Sequence, residues 1–177
     1  MAAAGNLVAT ERLLLRPYRV EDFEAMCRLM SAPDTQLHPP RPPMGPEETW
    51  TRLLRHIGHW SQFGYGFFAV EDRATGAFVG EAGFSFFRRG LGELYDDAPE
   101  ATWTIAAEQR GRGLATEAAA AAHRWADERL RLPRTLCMIH AGNLPSLRVA
   151  EKLGYCEYGR VTHQGEPAIY FERKRPG

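Results

Sequence analysis

What this chain of 177 residues lacks sets the first limits on its function. It has no net charge: 22 basic and 22 acidic residues leave a formal +0 at pH 7. No basic field is therefore present to draw nucleic acid or an anionic membrane. It has no apolar run approaching the roughly 20 residues that span a bilayer. Its first residues, Met1 to Asn6, offer neither the basic region nor the apolar core of a secretory signal. It has only three cysteines, Cys27, Cys137 and Cys156, an odd number without metal-ligand spacing. That usage points to reduced thiols and a cytoplasmic setting. His56 and His59 stand three apart on an expected helix, but neither a third ligand nor His38 completes a metal set, so no metal is expected. No repeat, low-complexity tract or linker divides the chain, and residues 1–177 read as one domain.

What is present is an alternation of strands and amphipathic helices. Hydrophobic residues make up 44% of the chain, enough for a substantial core at this length. A strand is expected over Arg12–Arg16, and a helix over Glu21–Met30 with Phe23, Met26, Cys27 and Met30 on one face. The proline-rich stretch Pro33–Pro46 reads as a loop. A second helix starts at Pro46, with Glu47 and Glu48 in its first turn and Trp50, Leu53, Leu54, Ile57 and Trp60 as its apolar face. Strands follow near Gly66–Glu71 and Phe78–Phe86, then a polar loop Arg88–Pro99 and a strand Glu100–Ile105. A helix from Leu114 to Leu130 carries Leu114, Ala118, Ala121 and Trp125 on one face. Beyond it come a strand Thr135–His140 and a helix Leu144–Leu153 capped by Asn143 and stopped by Gly154. Strands near Cys156–Thr162 and Ala168–Arg173 close the chain.

The stretch Glu108-Gln109-Arg110-Gly111-Arg112-Gly113-Leu114-Ala115 lies between an expected strand and an expected helix. Gly111 and Gly113 let the backbone approach a ligand, the first helical N–H groups point outward, and the helix dipole favours negative charge there. Arg110 and Arg112 add positive charge. The arrangement predicts a pyrophosphate cradle. It is not a P-loop, which needs Lys then Ser or Thr where Leu114 and Ala115 stand. It is not a dinucleotide fingerprint, which needs a third glycine where Thr116 stands.

This turn resembles the cofactor motif Gln/Arg-x-x-Gly-x-Gly/Ala of the GNAT superfamily of acetyl-CoA-dependent N-acetyltransferases. Gly111 and Gly113 are matched to its glycines, which sets Glu108 in the place of Gln or Arg. About thirty residues on, Asn143-Leu144-Pro145-Ser146 through Glu151-Lys152-Leu153-Gly154-Tyr155 resembles a second segment of the same superfamily, in its ribosomal-protein N-terminal acetyltransferase-like branch. The opening Thr10-Glu11-Arg12-Leu13-Leu14-Leu15-Arg16-Pro17, with Glu21-Asp22, resembles that branch too, so the likeness runs over nearly the whole chain. It implies an α/β (α+β) GNAT fold: a mixed, strongly twisted sheet of about six or seven strands with about four helices.

The resemblance also implies a function and a site. Acetyl-CoA, as co-substrate and without a metal, would lie between the splayed strands Glu100–Ile105 and Thr135–His140. Its pyrophosphate would rest on Arg110, Gly111, Arg112, Gly113, Leu114 and Ala115, its pantetheine would pair near Ile105 and Ala107, and Asn143 and Ser146 would touch it. The acetyl group would pass directly to a primary amine, on a small molecule, a peptide or a protein N-terminus. Several members place a tyrosine seven residues after the Asn to assist the leaving thiolate. Ala150 occupies that position here, and Ser146 is the candidate instead. The other reading of Ser146 is a first-turn helix residue bonded to its own backbone. Glu100, eleven residues before Gly111, is either the general base or a solvated strand-end carboxylate. The acidic loop with Glu93, Asp96 and Asp97 either attracts a cationic amine or is simply solvated. Trp50, Trp60, Phe63, Tyr65, Tyr95 and Trp103 either wall a pocket or pack the core. Cys137 reads as a buried apolar side chain rather than an acyl-carrying nucleophile. A non-catalytic acyl-CoA-binding sensor or partner module is the alternative function, and the chain is expected as a monomer or homodimer.

Overall fold

The computed structural model describes residues 6–32 and 42–175. The first part holds β1 (Val8–Ala9), β2 (Leu13–Pro17), a 3-10 turn at Val20–Asp22 and α1 (Phe23–Ser31). Then come α2 (Pro46–Phe63), β3 (Phe67–Asp72), β4 (Phe78–Ser85), α3 (Glu93–Asp96) and β5 (Glu100–Ile105). A 3-10 turn at Ala107–Gln109 leads to α4 (Leu114–Arg129), β6 (Arg134–His140), α5 (Leu144–Lys152), β7 (Cys156–His163) and β8 (Glu166–Lys174). Of the expected proline-rich loop, residues 33–41, with His38, lie outside the described residues, and residues 42–45 have no regular structure.

Eight strands make one mixed sheet in the order β1-β2-β3-β4-β5-β6-β8-β7. The GNAT architecture expected from the sequence is present, with one strand and one helix more than expected. The two-residue β1 pairs with β2 through Val8 and Leu15, too short to show a period of its own. The four-residue α3 lies in the expected loop. It sets Tyr95 against Tyr170, ring centroids 4.6 Å apart, so tertiary contact rather than local pattern makes it. The expected first helix is shortened, because Asp22 turns back to accept from the Arg19 N–H at 2.7 Å and to grip Arg16.

Helices cover both faces of the sheet. α4 packs on one face, where Leu114, Ala118, Ala121 and Trp125 are buried as their spacing predicts. Small alanines let this helix lie close to the strands. Ala150 of α5 joins the same core. α1 and α2 cover the other face, packing Met26, Leu29, Met30 and Leu53 on Phe67 and Ala69. Here α2 corrects the expected face: Trp50 and Leu54 are exposed, while Thr49, Leu53, His56 and His59 point inward. The histidines are held by partners remote in sequence. His59 Nδ1 lies 2.7 Å from the Tyr65 carbonyl oxygen and His59 Nε2 accepts from the Phe86 N–H at 3.1 Å. His56 Nε2 stands 3.6 Å from Glu81. Buried polar groups persist where such partners exist.

The sheet opens at one seam. β5 and β6 are its parallel pair, and their register reduces to Glu100 opposite Leu136. Beyond that point they diverge, leaving the edge of β5 from Ala101 to Ile105 without a β6 ladder.

Candidate active site

The gap between β5 and β6 is a cavity of about 560 Å³, within the range of small-ligand sites. One wall is Ala101–Ile105, the other Cys137–His140; the turn before α4 forms one end and the start of α5 another. Alternation along β5 follows from its pairing with β4. Thr104 stands opposite Glu81 and Glu100 opposite Ser85 on the α1/α2 face, whereas Ala101 and Ile105 join the core under α4.

The turn is built on conformation. Gly111 has φ 73° and Gly113 φ 77°, the left-handed region that costs a side-chain-bearing residue on the order of 1 kcal/mol. Gly113 is the N-cap of α4 and gives no side-chain cap to the first turn, whose leading N–H groups have no intrahelical acceptors. Those groups and the helix dipole face the cavity at Leu114, Ala115 and Thr116. The turn is clamped from β2. Arg12 donates from Nε to Glu117 at 2.7 Å and from Nη1 to the Arg112 carbonyl at 2.9 Å, and Thr10 donates to Glu117 at 2.6 Å. The opening strand residues thus hold the far glycine turn.

Of the residues expected at the cofactor, Ile105, Arg110, Gly111, Gly113, Leu114, Ala115, Asn143 and Ser146 all line this cavity. Ala107 and Arg112 do not. Ala107 begins the 3-10 turn, and Arg112 is exposed and donates to Gln109. The Nε of Arg110 donates to the Ile105 carbonyl at 3.2 Å. Glu108 is exposed and outside the cavity, and the geometry favours reading the motif two residues later. Arg110-x-x-Gly113-x-Ala115 satisfies every position, and all three residues face the gap. Thr102, Thr104, Gln109, Met138 and His140 line it as well without having been singled out in the sequence. The β5 residues reach it because it runs along that strand's open edge, which alternation does not reveal.

Asn143 caps α5, its Oδ1 accepting from the Ser146 N–H at 3.2 Å. The Ser146 hydroxyl makes no bond to its own helix and lies on the cavity wall. Glu100 is buried, 3% exposed, not a solvated strand end. Its carboxylate accepts from Arg89 Nε at 3.0 Å, Arg89 Nη2 at 3.1 Å and the Tyr170 hydroxyl at 2.8 Å, just outside the cavity lining. Cys137 lines the gap, and burial, with the charge of Glu100, pushes its thiol well above the ordinary range, so it stays protonated. Among the six aromatics considered, Trp103 reaches the cavity. Trp60 packs tilted against Trp125, ring centroids 5.4 Å apart, and Trp50 meets Phe23 edge to face at 5.3 Å.

Two buried clusters flank the site. Glu81, fully buried under α2, pairs with Arg52 and His56 and accepts from the Tyr18 hydroxyl at 3.0 Å. Burial raises its carboxyl, but the charge of Arg52 and the His56 contact outweigh that and hold it well below the usual range. On the α4 side, His123 lies 2.7 Å from the Ala119 carbonyl oxygen and 2.9 Å from the Tyr155 hydroxyl, which is 2.8 Å from Thr135. Burial lowers His56 and His123 to about 4 each, so both are neutral near pH 7. Among the described residues no three His, Cys, Asp or Glu side chains gather as a metal set, and no helix is long and apolar enough to cross a membrane.

Known proteins are similar to this chain in sequence and fold. The family described as "Acetyltransferase (GNAT) domain" matches residues 12–155. A solved protein from Bordetella pertussis, assigned to the GnaT acetyltransferase family, is 34% identical and superposes with a TM-score of 0.86 over 94% of this chain and 98% of its own. An uncharacterized Bacillus subtilis protein, YkkB, is 27% identical across 70% of this chain and 72% of its own. RimL, a ribosomal L7/L12 alpha-N-protein acetyltransferase solved with coenzyme A, is 16% identical and shares the fold, with a TM-score of 0.75 over 95% of this chain and 97% of its own.

Proposed function

We propose that this chain, which belongs to the acetyltransferase (GNAT) family and is an N-acetyltransferase by that membership, carries an acetyl group from acetyl-CoA to a primary amine in a ternary complex. The observation that carries the reading is the gap that runs from the glycine turn to the seam at Glu100 and Leu136. It supports an elongated ligand with an anionic group at the turn and its reactive end at the seam. The leading N–H groups of α4 and Arg110 hold the pyrophosphate. The unpaired edge of β5 pairs with pantetheine as with an added strand. Asn143 fixes the start of α5 beside it.

Acetyl-CoA supplies an activated thioester carbonyl, and the chain supplies position and hydrogen bonds. The amine nitrogen bonds to the carbonyl carbon as the carbon–sulfur bond breaks. A backbone N–H on β5 stabilises the oxyanion. The Ser146 hydroxyl donates to the sulfur as charge develops there; an ordinary thiol pKa is about 8.5, so the departing thiolate needs that help or a proton. The amine's proton leaves to Glu100 through a water or directly to solvent. Glu100 already accepts three hydrogen bonds, which suits an amine that needs little assistance. An α-amine has a pKa of about 7.7–8.0 against about 10.4 for lysine, roughly 4 kcal/mol less deprotonation work. RimL's name gives it an α-amine acceptor, and we extend that preference to this chain over a lysine side chain. Its three free cysteines fit the reducing cytoplasm as the place of action.

A coupled thiol-release assay across α-amines, lysine-like amines and polyamines tests the reading. Turnover with at least one primary amine is expected. Tight acetyl-CoA binding without turnover of any amine would make the chain a sensor. Glu100→Gln is expected to depress kcat/KM for a lysine-like amine more than for an α-amine and to move the acidic limb of the profile upward. Superimposable profiles would remove Glu100 from the proton path.

A further inference from the structure

Two of the three loop carboxylates that would draw a cationic amine, and Glu100 beside them, are held internally, while Glu93 is exposed. Asp97 pairs with Arg134, Asp96 accepts from the Arg89 backbone N–H at 2.7 Å, and Glu100 holds the Arg89 guanidinium. A surplus of positive charge gathers instead on the α1/α2 face beside the seam. There α2 presents Arg52 and Arg55, and the chain after β4 presents Arg89. Arg88 has a left-handed φ of 47° and lies over Phe86, and Arg89 lies over Phe87. The guanidinium carbon of Arg89 is 4.2 Å from the Phe87 ring centroid, and that of Arg55 is 5.9 Å from the same centroid. Arg52 is matched by Glu81 and Arg89 by Glu100, but Arg55 has no carboxylate within ion-pair reach among the described residues. Arg52, Arg55, Arg88 and Arg89 therefore stand against Glu48, Glu81 and Glu100, and His56, neutral, adds nothing to the balance. Burial and the like charges of Arg52 and Arg89 hold the Arg55 guanidinium below its ordinary range, with Glu81 as the partial offset.

We propose that Arg55 and Arg89, sharing the ring of Phe87, receive an oxyanion on the acceptor, so that the amine acetylated here carries a carboxylate or phosphate group. This rests on the amine-acetylation reading above. Arg55 lies on the surface and offers its fork to a ligand, while Arg89, 20% exposed, has Nε and Nη2 on Glu100 and Nη1 3.5 Å from His163 Nε2, so it contributes mainly its charge and its remaining N–H groups. Arg89 also grips Glu100, the β5 residue opposite Leu136 where the gap closes. The pair thus adjoins the seam, outside the lining of the gap in which the thioester is expected. Forked guanidiniums beside an aromatic ring suit a planar carboxylate or a phosphate. The same surplus charge repels a polyamine, whose remaining cations would meet Arg55.

The test uses α-amine pairs that differ in negative charge, by one for a carboxylate and by about 1.5 to 2 for a phosphate: glutamic acid α-amide against glutamine amide, an N-terminal Ala-Glu peptide amide against Ala-Gln, and phosphoserine amide against serine amide, with spermidine as the cationic member. Thiol release is followed at low and high KCl. The anionic member of at least one pair is expected to exceed its neutral partner at least tenfold in kcat/KM, mostly through KM, and the ratio shrinks with salt. Which pair leads distinguishes a free amino acid, a peptide terminus and a phosphate as the source of the oxyanion. In Arg55→Gln the ratio falls at least fivefold, and in Arg55→Lys it lies between the two. Equal turnover of charged and neutral partners, or spermidine as the best substrate, with the ratio unmoved by Arg55→Gln, overturns the oxyanion site while leaving acetyl transfer intact. No thiol release with any amine, from folded protein that binds acetyl-CoA, overturns acetyl transfer and the oxyanion site with it.

Discussion

At the scale of single residues the account turns on hydrogen bonds that exist only at one stage of the reaction. Among the described residues no protein group accepts from the Ser146 hydroxyl, which faces the gap. Ser146→Ala is therefore expected to lower kcat about tenfold or more, roughly 1.4 kcal/mol or above, while leaving the acetyl-CoA Kd within about twofold. Calorimetric titration beside single-turnover kinetics separates the two, and an unchanged kcat would give the leaving-group role to water. The buried histidines make a different prediction. His123 titrates at about 4 in the folded protein and near 6.5 when unfolded, because burial opposes its charge. A lowered histidine contributes stability that is full above pH 6.5 and is lost as pH falls toward 4, at about 1.4 kcal/mol per pH unit for one proton. Melting temperatures are expected to drop between pH 6.5 and 5, and His123→Gln, itself less stable, is expected to show a shallower drop. A parallel slope in the variant would mean that the proton enters elsewhere. The residues behind Glu100 were the least legible in the sequence. Its placement at the head of β5 could be read, but Tyr170 stands 70 positions away and Arg89 lies in an irregular stretch, so no periodicity announces the pair.

At the scale of elements, the glycine turn joins β5 to α4 and is clamped by β2. The left-handed φ of Gly113 and its place as N-cap make Gly113→Val disruptive there. The acetyl-CoA Kd is expected to rise at least tenfold, about 1.4 kcal/mol. Arg12 reaches the same turn from another strand through Glu117 and the Arg112 carbonyl. Arg12→Gln is expected to raise the Kd several-fold without any contact to the ligand. Unaltered affinity in both folded variants would remove the turn from the binding site. Long periodic elements such as α4 and β5 were readable because one apolar face runs their whole length. β1 and α3, two and four residues long, were not, since sheet pairing and Tyr95 rather than propensity hold them. The face of α2 misled for a related reason. Its inward histidines depend on Glu81, Tyr65 and Phe86, partners that a helical pattern cannot reveal.

At the scale of the whole molecule, one parallel pair that parts after a single register position gives the sheet its opening. The central claim is that acetyl-CoA occupies this opening, with its phosphates at the start of α4 and its thioester at the seam. Amide chemical shifts recorded with and without acetyl-CoA test it most directly. The account predicts the largest changes at Gly111, Gly113 and the first turn of α4, along Ala101–Ile105, and at Asn143 and Ser146. Saturable binding whose shifts fall elsewhere, such as the hollow beside Pro133 and Lys174, with β5 and the glycine turn unmoved, would contradict it.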